Sequence, residues 1–308
     1  MRSVSSLRVL ATLDGAESFS AAADLLGMSQ SAVSQHIAAL EQVVGLPLVH
    51  RGTRPVDVTV AGRVLATHAA AVMARLESAG LDLDELAGVH HRRLRIGGFP
   101  TALATFVPQA LALLTKQLPD VTLTVVDDHL QGLLPRLLNR ELDVALVFQD
   151  AHAPTLPAET DGIEVTPLFA DPYRLLLPRR HHLTARDTSV ALTDLAQDTW
   201  VGGAPGSTWF QIVRVQCRAE GFEPRVGISS DDYLAVQAFV AAGLGIAVVP
   251  GLVASRRIAG VEVRTLHGPT PTRDIAVACP VDPYRPQAAT LMVRLLRQVT
   301  ARRSAVTR

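Results

Sequence analysis

The sequence predicts an α/β protein in which an α-rich N-terminal unit and one long helix precede two α/β lobes. Three observations favour this fold class. Apolar residues recur at helical spacing through the start of the chain, and a row of apolar residues at alternating steps of four and three follows it. From residue 94 onward, short apolar strands alternate with helical segments, which is typical of α/β domains.

Length and composition limit the possible classes of protein. The chain has 308 residues, 48% of them hydrophobic, so it can form two or three compact units and is not wholly disordered. Lys and Arg number 29 and Asp and Glu number 29, which gives a net charge of +0. This balance excludes binding to nucleic acid through bulk positive charge, so any such contact must be local.

Cysteine content and hydropathy indicate in which cellular compartment the protein is expected. Cys217 and Cys279 are too few for a disulfide framework. We expect free buried thiols, with a redox pair as the alternative. No apolar run reaches about 18 residues, and Asp14 and Glu17 interrupt the N-terminal apolar stretch too early for a secretory signal. We therefore expect no membrane partner and a cytoplasmic location.

Three helices are expected in the first 45 residues. The first is short and amphipathic and carries Val4, Leu7, Leu10 and Ala11. Ser20 is positioned to cap a second helix, which Gly27 ends. Ser29 is positioned to cap a third helix, from Gln30 to about Val44. Two short helices joined by a turn that contains glycine describe a helix-turn-helix.

The third helix has two contrasting faces. An apolar stripe must pack inward, and it consists of Val33, Ile37, Leu40 and Val44. The other side is small and polar, and we select Gln30, Ser31, Ser34 and Gln35 from it as candidate DNA-binding residues. Ser and Gln can form hydrogen bonds to base edges in a major groove. The alternative is an ordinary surface helix, which more often carries Glu, Lys and Arg four residues apart.

A hairpin is expected after this helix. Residues 48–51 and 56–59 read as strands around a turn, with Arg51 and Arg54 at or near the tip. Such a wing can place arginines beside phosphates or in a minor groove. The alternative, that both arginines are merely solvated, is less favoured beside a helix-turn-helix.

The segment from Phe19 to Gly62 resembles the winged helix-turn-helix of LysR-type transcriptional regulators, without a gap. The resemblance implies that Ser31, Ser34 and Gln35 meet the DNA groove and that Arg51 is the wing arginine. Val49 departs from the family, which usually has phenylalanine there, and we expect this change to alter wing packing rather than binding.

A heptad seam follows Thr59, which is positioned to cap the long helix. Its apolar positions have a period of 3.5, as in a two-stranded coiled coil, and are Leu65, Ala69, Val72, Leu76, Ala79, Leu83 and Leu86. We select Leu65, Val72, Leu76 and Leu83 as dimerisation residues. The alternative is a helix packed on its own domain. The resemblance identifies the segment as the linker helix through which the family dimerises.

The resemblance also implies the domain organisation. It predicts a DNA-binding domain at 1–62, a linker helix at 63–91 and an effector-binding domain at 92–308. The last is expected to look like a type 2 periplasmic solute-binding protein, because Glu141–Phe148 and Ala241–Pro250 match recurrent family segments. Lobe I would comprise 92–167 and 266–308, and lobe II 168–265. From the alternation of strands and helices we expect a parallel sheet.

A cleft between two such lobes is the expected ligand site. Two segments that follow strands and open helices qualify, and they contribute Pro100, Thr101, Ser207 and Thr208 as candidate effector-binding residues. The three hydroxyls could donate to a carboxylate or another anion, or they could only cap their own helices. Asp231-Asp232 could favour an amino-bearing ligand, although an Asp pair before a helix is more often a cap.

No enzyme motif is present. The sequence lacks GxSxG, HExxH, a P-loop and a GxGxxG that opens a helix, and its histidines have no partners at metal-ligand spacing. We expect no catalytic residue, cofactor or metal. The sequence predicts a DNA-binding transcriptional regulator that binds double-stranded DNA as a homodimer or homotetramer and responds to a small-molecule effector. The alternative is a small-molecule-binding protein whose N-terminal unit contacts protein.

Overall fold

A computed structural model of the chain describes residues 4–50, 55–87, 92–150, 162–185, 189–268, 270–281 and 285–304. The chain divides into two compact units, residues 1–91 with 135–142 and residues 92–134 with 143–308. No helix within these described ranges is long and apolar enough to cross a membrane.

The first unit is built from helices and a small hairpin. Its elements are α1 (Val4–Asp14), α2 (Phe19–Leu26), α3 (Gln30–Val44), β1 (Val49–His50), β2 (Asp57–Val58) and α4 (Val60–Leu86). β1 and β2 pair antiparallel, with Val49 opposite Val58. The predicted helix-turn-helix and wing strands are therefore confirmed.

The ends of these helices follow capping chemistry. Ser29 accepts a hydrogen bond from the Ala32 amide at the start of α3, as predicted. The cap of α2 is Ser18, which accepts from the Ala21 amide, so the prediction of Ser20 was wrong by two residues. Ser20 lies inside the helix because Phe19 already has helical geometry. Gly27 ends α2 in the left-handed conformation, at a φ of 63°.

The core of the first unit joins all of its helices to the wing. The buried side chains are Val9, Leu10, Leu13, Ala22, Ala23, Val33, Ile37, Leu40, Leu48, Val49 and Ala66. Val49, the residue that departs from the family's usual phenylalanine, packs into this core. Thr59 caps α4, because its hydroxyl accepts a hydrogen bond from the Gly62 amide at 3.0 Å. The same hydroxyl donates to the Pro47 carbonyl at 2.8 Å, which links the start of α4 to the segment before β1.

Lobe I, most of which belongs to the second unit, alternates strands and helices; residues 135–142 are grouped with the first unit. Its elements are β3 (Arg93–Gly98), α5 (Pro100–Leu103), α6 (Val107–Gln117), β4 (Thr122–Asp127), α7 (Leu130–Leu138), β5 (Val144–Asp150) and the first part of β6 (Ile163–Pro178). The chain returns to this lobe later as β12 (Thr272–Pro280) and α11 (Gln287–Ser304).

Lobe II lies between these two parts in sequence. It contains the end of β6, β7 (Ser189–Ala191), β8 (Thr199–Gly202), α8 (Thr208–Ala219), β9 (Arg225–Ser229), α9 (Tyr233–Ala241), β10 (Ala247–Pro250), α10 (Gly251–Ala254) and β11 (Val261–His267). Its core contains the fully buried Trp200, whose indole nitrogen donates to the Leu195 carbonyl.

The sheet is mixed, so the prediction of a parallel sheet was wrong in part. Strands pair in the order β4-β3-β5-β12-β6-β11-β7, and β10 also pairs with β6. β3 is parallel to β4 and β5, whereas β12 is antiparallel to both β5 and β6. The reason is that β6 and β12 are the segments that cross between lobes, and they run in opposite directions.

The crossing positions follow from the register of these strands. Thr272 of β12 lies opposite Pro172 of β6, and from Tyr173 onward β6 pairs with β10 and β11 of lobe II. The Tyr173 amide donates to the Pro271 carbonyl at 2.9 Å, which ties the two crossings together.

A substitution at Gly62 tests the packing of the wing against α4. A Cβ at this position would lie 2.1 Å from the Leu48 carbonyl oxygen and 2.5 Å from Val58 Cγ1. We expect Gly62→Ala to lower the free energy of unfolding by about 1–3 kcal/mol, because backbone must move to admit the methyl group. Urea denaturation followed by circular dichroism measures this change.

The matched control is Gly80→Ala in the same helix. No described atom lies within 4 Å of a Cβ placed at Gly80. This variant should be stabilised by about 0.5–1 kcal/mol, because alanine favours helix over the unfolded chain. Equal effects at the two glycines would contradict the packing of Gly62 against Leu48.

Candidate DNA-binding surface and ligand cleft

The polar face of α3 points to solvent. Gln30, Ser31, Ser34 and Gln35 are all exposed, while Val33, Ile37 and Leu40 on the opposite side are buried. The Ser31 hydroxyl lies 2.9 Å from that of Ser29. The geometry leaves the four candidate residues accessible, and their contact with DNA stays a prediction. Arg51 and Arg54 lie outside the described residues.

Glu41 is the one acid of α3, and it does not extend this polar face. Its Oε1 accepts hydrogen bonds from the Leu48 amide at 2.8 Å and the Val49 amide at 3.4 Å. Glu41 therefore fixes the start of the wing relative to α3. Sequence reasoning missed this role, because a glutamate eight residues before a strand gives no local signal.

The heptad seam of α4 divides into two parts. Ala69 is buried and Leu65 packs against the core of the first unit, as the alternative interpretation of the seam expected. Farther along, Val72, Leu76 and Leu83 are 43%, 52% and 66% exposed. A row of exposed apolar side chains on one helix face is typical of a surface that is covered in an assembly.

A cleft of about 460 Å³ lies between the two lobes of the second unit. Lobe I and lobe II both contribute aromatic rings and polar groups to its walls, which are formed by Phe99, Pro100, Thr101, His129, Leu130, Gln131, Phe148, Pro205, Gly206, Ser207, Thr208, Trp209, Asp231, Tyr233 and Arg273. Its size lies in the range of small-molecule sites. All four candidate effector-binding residues line this cleft.

The hydroxyls on the cleft wall do not behave as simple helix caps. Ser207 is the residue before α8, yet its side chain forms no cap hydrogen bond within the described part of the chain. The Thr101 hydroxyl instead accepts a hydrogen bond from Arg273 Nη2 at 2.8 Å. The capping interpretation is therefore wrong for Ser207 and Thr101, and ligand binding by these residues stays a prediction.

The two aspartates after β9 have different roles. Asp232 caps α9, where its Oδ1 accepts from the Leu234 amide. Asp231 instead lines the cleft, and its Oδ1 accepts from the Trp209 indole at 3.1 Å and the Ala204 amide at 3.3 Å.

A buried ion pair lies where the two crossing strands meet. Asp171 Oδ2 accepts from Arg273 Nε at 2.9 Å and lies 2.8 Å from Nη2, and both side chains are almost fully buried. Burial raises the pKa of Asp171, and the positive charge of Arg273 opposes this rise. Sequence reasoning missed both residues, because they are 102 positions apart and neither belongs to a motif.

Tyr233 lies on the cleft wall that lobe II forms, and its hydroxyl can donate a hydrogen bond at neutral pH. A tyrosine hydroxyl is protonated at this pH, and burial raises the pKa of Tyr233 further above its ordinary value. Its ring lies against Trp209, with ring centroids 5.4 Å apart.

The two cysteines lie in separate cores. Cys217 and Cys279 are both free and buried, as expected. Burial raises the pKa of Cys217 to about 12 and that of Cys279 to about 11. The thiolate is the reactive form, and burial disfavours it at both positions. No cluster of three or more His, Cys, Asp or Glu side chains suited to a metal occurs among the residues described.

Comparisons with known proteins match both units. The family described as "Bacterial regulatory helix-turn-helix protein, lysR family" matches residues 4–63, and the "LysR substrate binding domain" matches residues 87–301. A relative from Mycobacterium leprae, named "Probable hydrogen peroxide-inducible genes activator", is 34% identical over 237 residues, which are 75% of this chain and 72% of the relative.

Solved structures share the fold along nearly the whole chain. A full-length OxyR variant from Pseudomonas aeruginosa aligns with a TM-score of 0.70 at 24% identity, over 96% of this chain and 98% of the other. Full-length CbnR complexed with its target DNA aligns with a TM-score of 0.68 at 21% identity, over 96% of this chain and 99% of the other.

The helix-turn-helix with its wing, joined to a domain with a ligand-sized cleft, defines a DNA-binding transcriptional regulator rather than an enzyme. The chain belongs to the LysR family of regulators. The family match over residues 4–63 favours DNA over protein as the partner of the N-terminal unit.

The buried thiols give a direct prediction. In the native protein at neutral pH, Ellman's reagent should modify neither Cys217 nor Cys279, because both are buried and protonated. Both thiols should titrate once guanidinium chloride unfolds the chain. Rapid reaction of one thiol equivalent with the reagent before unfolding would show that one of the two cysteines is accessible in the native protein.

Proposed function

We propose that this regulator reads its operator with Gln30, Ser31, Ser34 and Gln35 of α3, while Arg51 and Arg54 contact the backbone or minor groove. The observation that carries the proposal is the one-sided burial of α3. Val33, Ile37 and Leu40 hold one face in the core, and the polar face remains exposed. Polar side chains of this kind can form hydrogen bonds to bases in the major groove.

The active assembly is a homodimer or homotetramer, held together along α4 by Val72, Leu76 and Leu83, with Leu65 at the end nearest the DNA-binding core. The exposed apolar side chains of α4 support this assignment, because a second copy of the helix would cover them. A dimer also presents two recognition helices to two half-sites about one DNA turn apart. A protein that acts on the chromosome in this way works in the cytoplasm.

The effector is a small molecule that carries a carboxylate and binds in the cleft beside Pro100, Thr101, Ser207 and Thr208. Support comes from the size of the cleft and from Ser207, whose side chain does not cap α8 in the described structure. The effector regulates by preferring one arrangement of the assembly over another, which shifts the population toward that arrangement.

Thiol oxidation is not the input in this proposal. The relative from Mycobacterium leprae is named for hydrogen peroxide induction, but a thiol sensor needs an accessible cysteine with a low pKa. Both cysteines of this chain are buried with raised pKa values, which favours a bound effector over a cysteine reaction.

Gln35→Ala tests base readout. The variant should lose about 1–3 kcal/mol of binding to the DNA upstream of the regulator's own gene, with little change on random DNA, because a base contact carries sequence information. Fluorescence anisotropy on both duplexes measures the two losses. Gln117→Ala, an exposed glutamine on α6, is the matched control and should bind as the parent does. Equal losses on both duplexes would contradict base readout by Gln35.

Leu76→Asp tests the assembly. A carboxylate in an apolar coiled-coil seam should dissociate the dimer, because the charge would have to be buried without a partner. Sedimentation velocity measures the change in mass. Thr67→Asp places the same charge on the opposite, exposed side of α4 and should leave the assembly intact. An intact assembly in Leu76→Asp would refute the seam.

A further inference from the structure

A buried arginine forms part of the cleft wall. The Arg273 side chain is only 3% exposed, yet it lines the cleft. Its guanidinium carbon lies 5.0 Å from the centre of the Phe99 ring and 5.1 Å from that of Phe148. Contact with two ring faces suits a cation in an apolar environment. In this position solvent screens the guanidinium little, so its N–H groups would bind an anionic acceptor in the cleft strongly, even with Asp171 beside it.

Asp171 holds this guanidinium from behind. It binds Nε and Nη2 of Arg273 with one oxygen, while its other oxygen accepts from the Leu252 amide at 2.9 Å. The neighbouring position 251 has space only for a glycine, because a Cβ on Gly251 would lie 2.7 Å from Asp171 Oδ1. With both oxygens engaged, Asp171 fixes the direction in which Arg273 points.

The guanidinium keeps donor capacity for a ligand. Its hydrogen bonds within the described structure use Nε and Nη2, and Nη2 reaches the Thr101 hydroxyl at 2.8 Å. An arginine has five N–H donors, and Nη1 has no acceptor among the residues that the structure describes. Nη1 and the Thr101 hydroxyl can therefore serve the two oxygens of one carboxylate.

The two walls of the cleft are aromatic. Phe99 and Phe148 of lobe I form an edge-to-face pair with centroids 5.1 Å apart, and Trp209 and Tyr233 of lobe II form a second pair at 5.4 Å. Rings on both sides favour a flat, unsaturated ligand, because such a ligand can contact both pairs without distorting either.

We propose that Arg273 binds the carboxylate of the effector, that Asp171 is the positioning residue for Arg273, and that the aromatic walls restrict the effector to planar carboxylates. This inference rests on the proposed function, since it concerns the same cleft. The charge of the effector is then recognised by one buried arginine, and the hydroxyls of Ser207 and Thr208 contribute from the facing lobe.

Sharing of Arg273 between two carboxylates has a measurable consequence. In the parent protein the effector carboxylate adds to a guanidinium that Asp171 already neutralises. In Asp171→Asn the guanidinium lacks its counter-ion, which costs stability. A bound carboxylate then restores the missing charge, so it should raise the melting temperature of Asp171→Asn by more than it raises that of the parent. A purely structural Asp171 would not produce this larger shift.

The experiment uses the full chain with benzoate as the planar carboxylate, benzamide as its neutral counterpart and cyclohexanecarboxylate as the non-planar acid. Isothermal titration should detect benzoate binding and find the other two weaker. Arg273→Met should weaken benzoate by about 10- to 100-fold, the loss expected for a hydrogen bond to a charged group. Arg264→Met, a partly buried arginine on β11 that does not line the cleft, is the matched control and should bind benzoate normally.

The outcomes separate the parts of the proposal. Unchanged benzoate affinity in Arg273→Met would overturn the role of Arg273, and equal binding of benzamide would overturn charge recognition. Failure of the parent to bind benzoate would overturn the ligand class. If Arg273→Met does not fold, Thr101→Val replaces it and should weaken benzoate several-fold, with unchanged affinity contradicting the site. A gel shift with the parent's upstream DNA reports separately on the proposed function, because DNA binding does not require Arg273.

Discussion

Strands β6 and β12 pass side by side between the two lobes, and the ion pair of Asp171 and Arg273 lies where they cross. Removal of one partner from such a buried pair typically lowers the free energy of unfolding by about 3–5 kcal/mol, because the remaining charge is then buried without a counter-ion or water. The pair also ties β6 to α10 through the Leu252 amide and reaches α5 through the Thr101 hydroxyl. The geometry of the cleft therefore depends on an interaction that is also part of the connection between the lobes.

The first unit depends on a simpler constraint, the burial of one side of α3. Its apolar stripe packs with α1, α2 and the wing, and this packing determines which side chains face outward. Glu41 adds a second restraint, because it binds the amides at the start of β1 and so fixes the wing relative to α3. The helix that carries the candidate base-reading residues is held by core packing, by its caps and by this hydrogen bond.

Two features of the chain point to binding partners. Val72, Leu76 and Leu83 of α4 are exposed in a single copy, and the cleft of the second unit is lined by a buried cation and two aromatic pairs. In our proposal a second chain covers the first feature and a planar carboxylate binds to the second. An effector can regulate the assembly only if it binds one of its arrangements more tightly than another.

Local patterns in the chain were enough to predict the helix-turn-helix, the wing strands, the long helix and the alternation of strands and helices in the lobes, because helix periodicity, caps and turns depend on neighbouring residues. The errors there were small, such as the prediction of Ser20 as the cap of α2, where the structure has Ser18. The same local signals selected Pro100, Thr101, Ser207 and Thr208, which line the cleft, because each lies at or next to the start of a helix that follows a strand. The mixed sheet, the role of Glu41 and the pairing of Asp171 with Arg273 became visible only in the folded chain. These features join segments that are far apart in the chain. The residues next to such a side chain in sequence do not indicate which distant residue it will contact after folding.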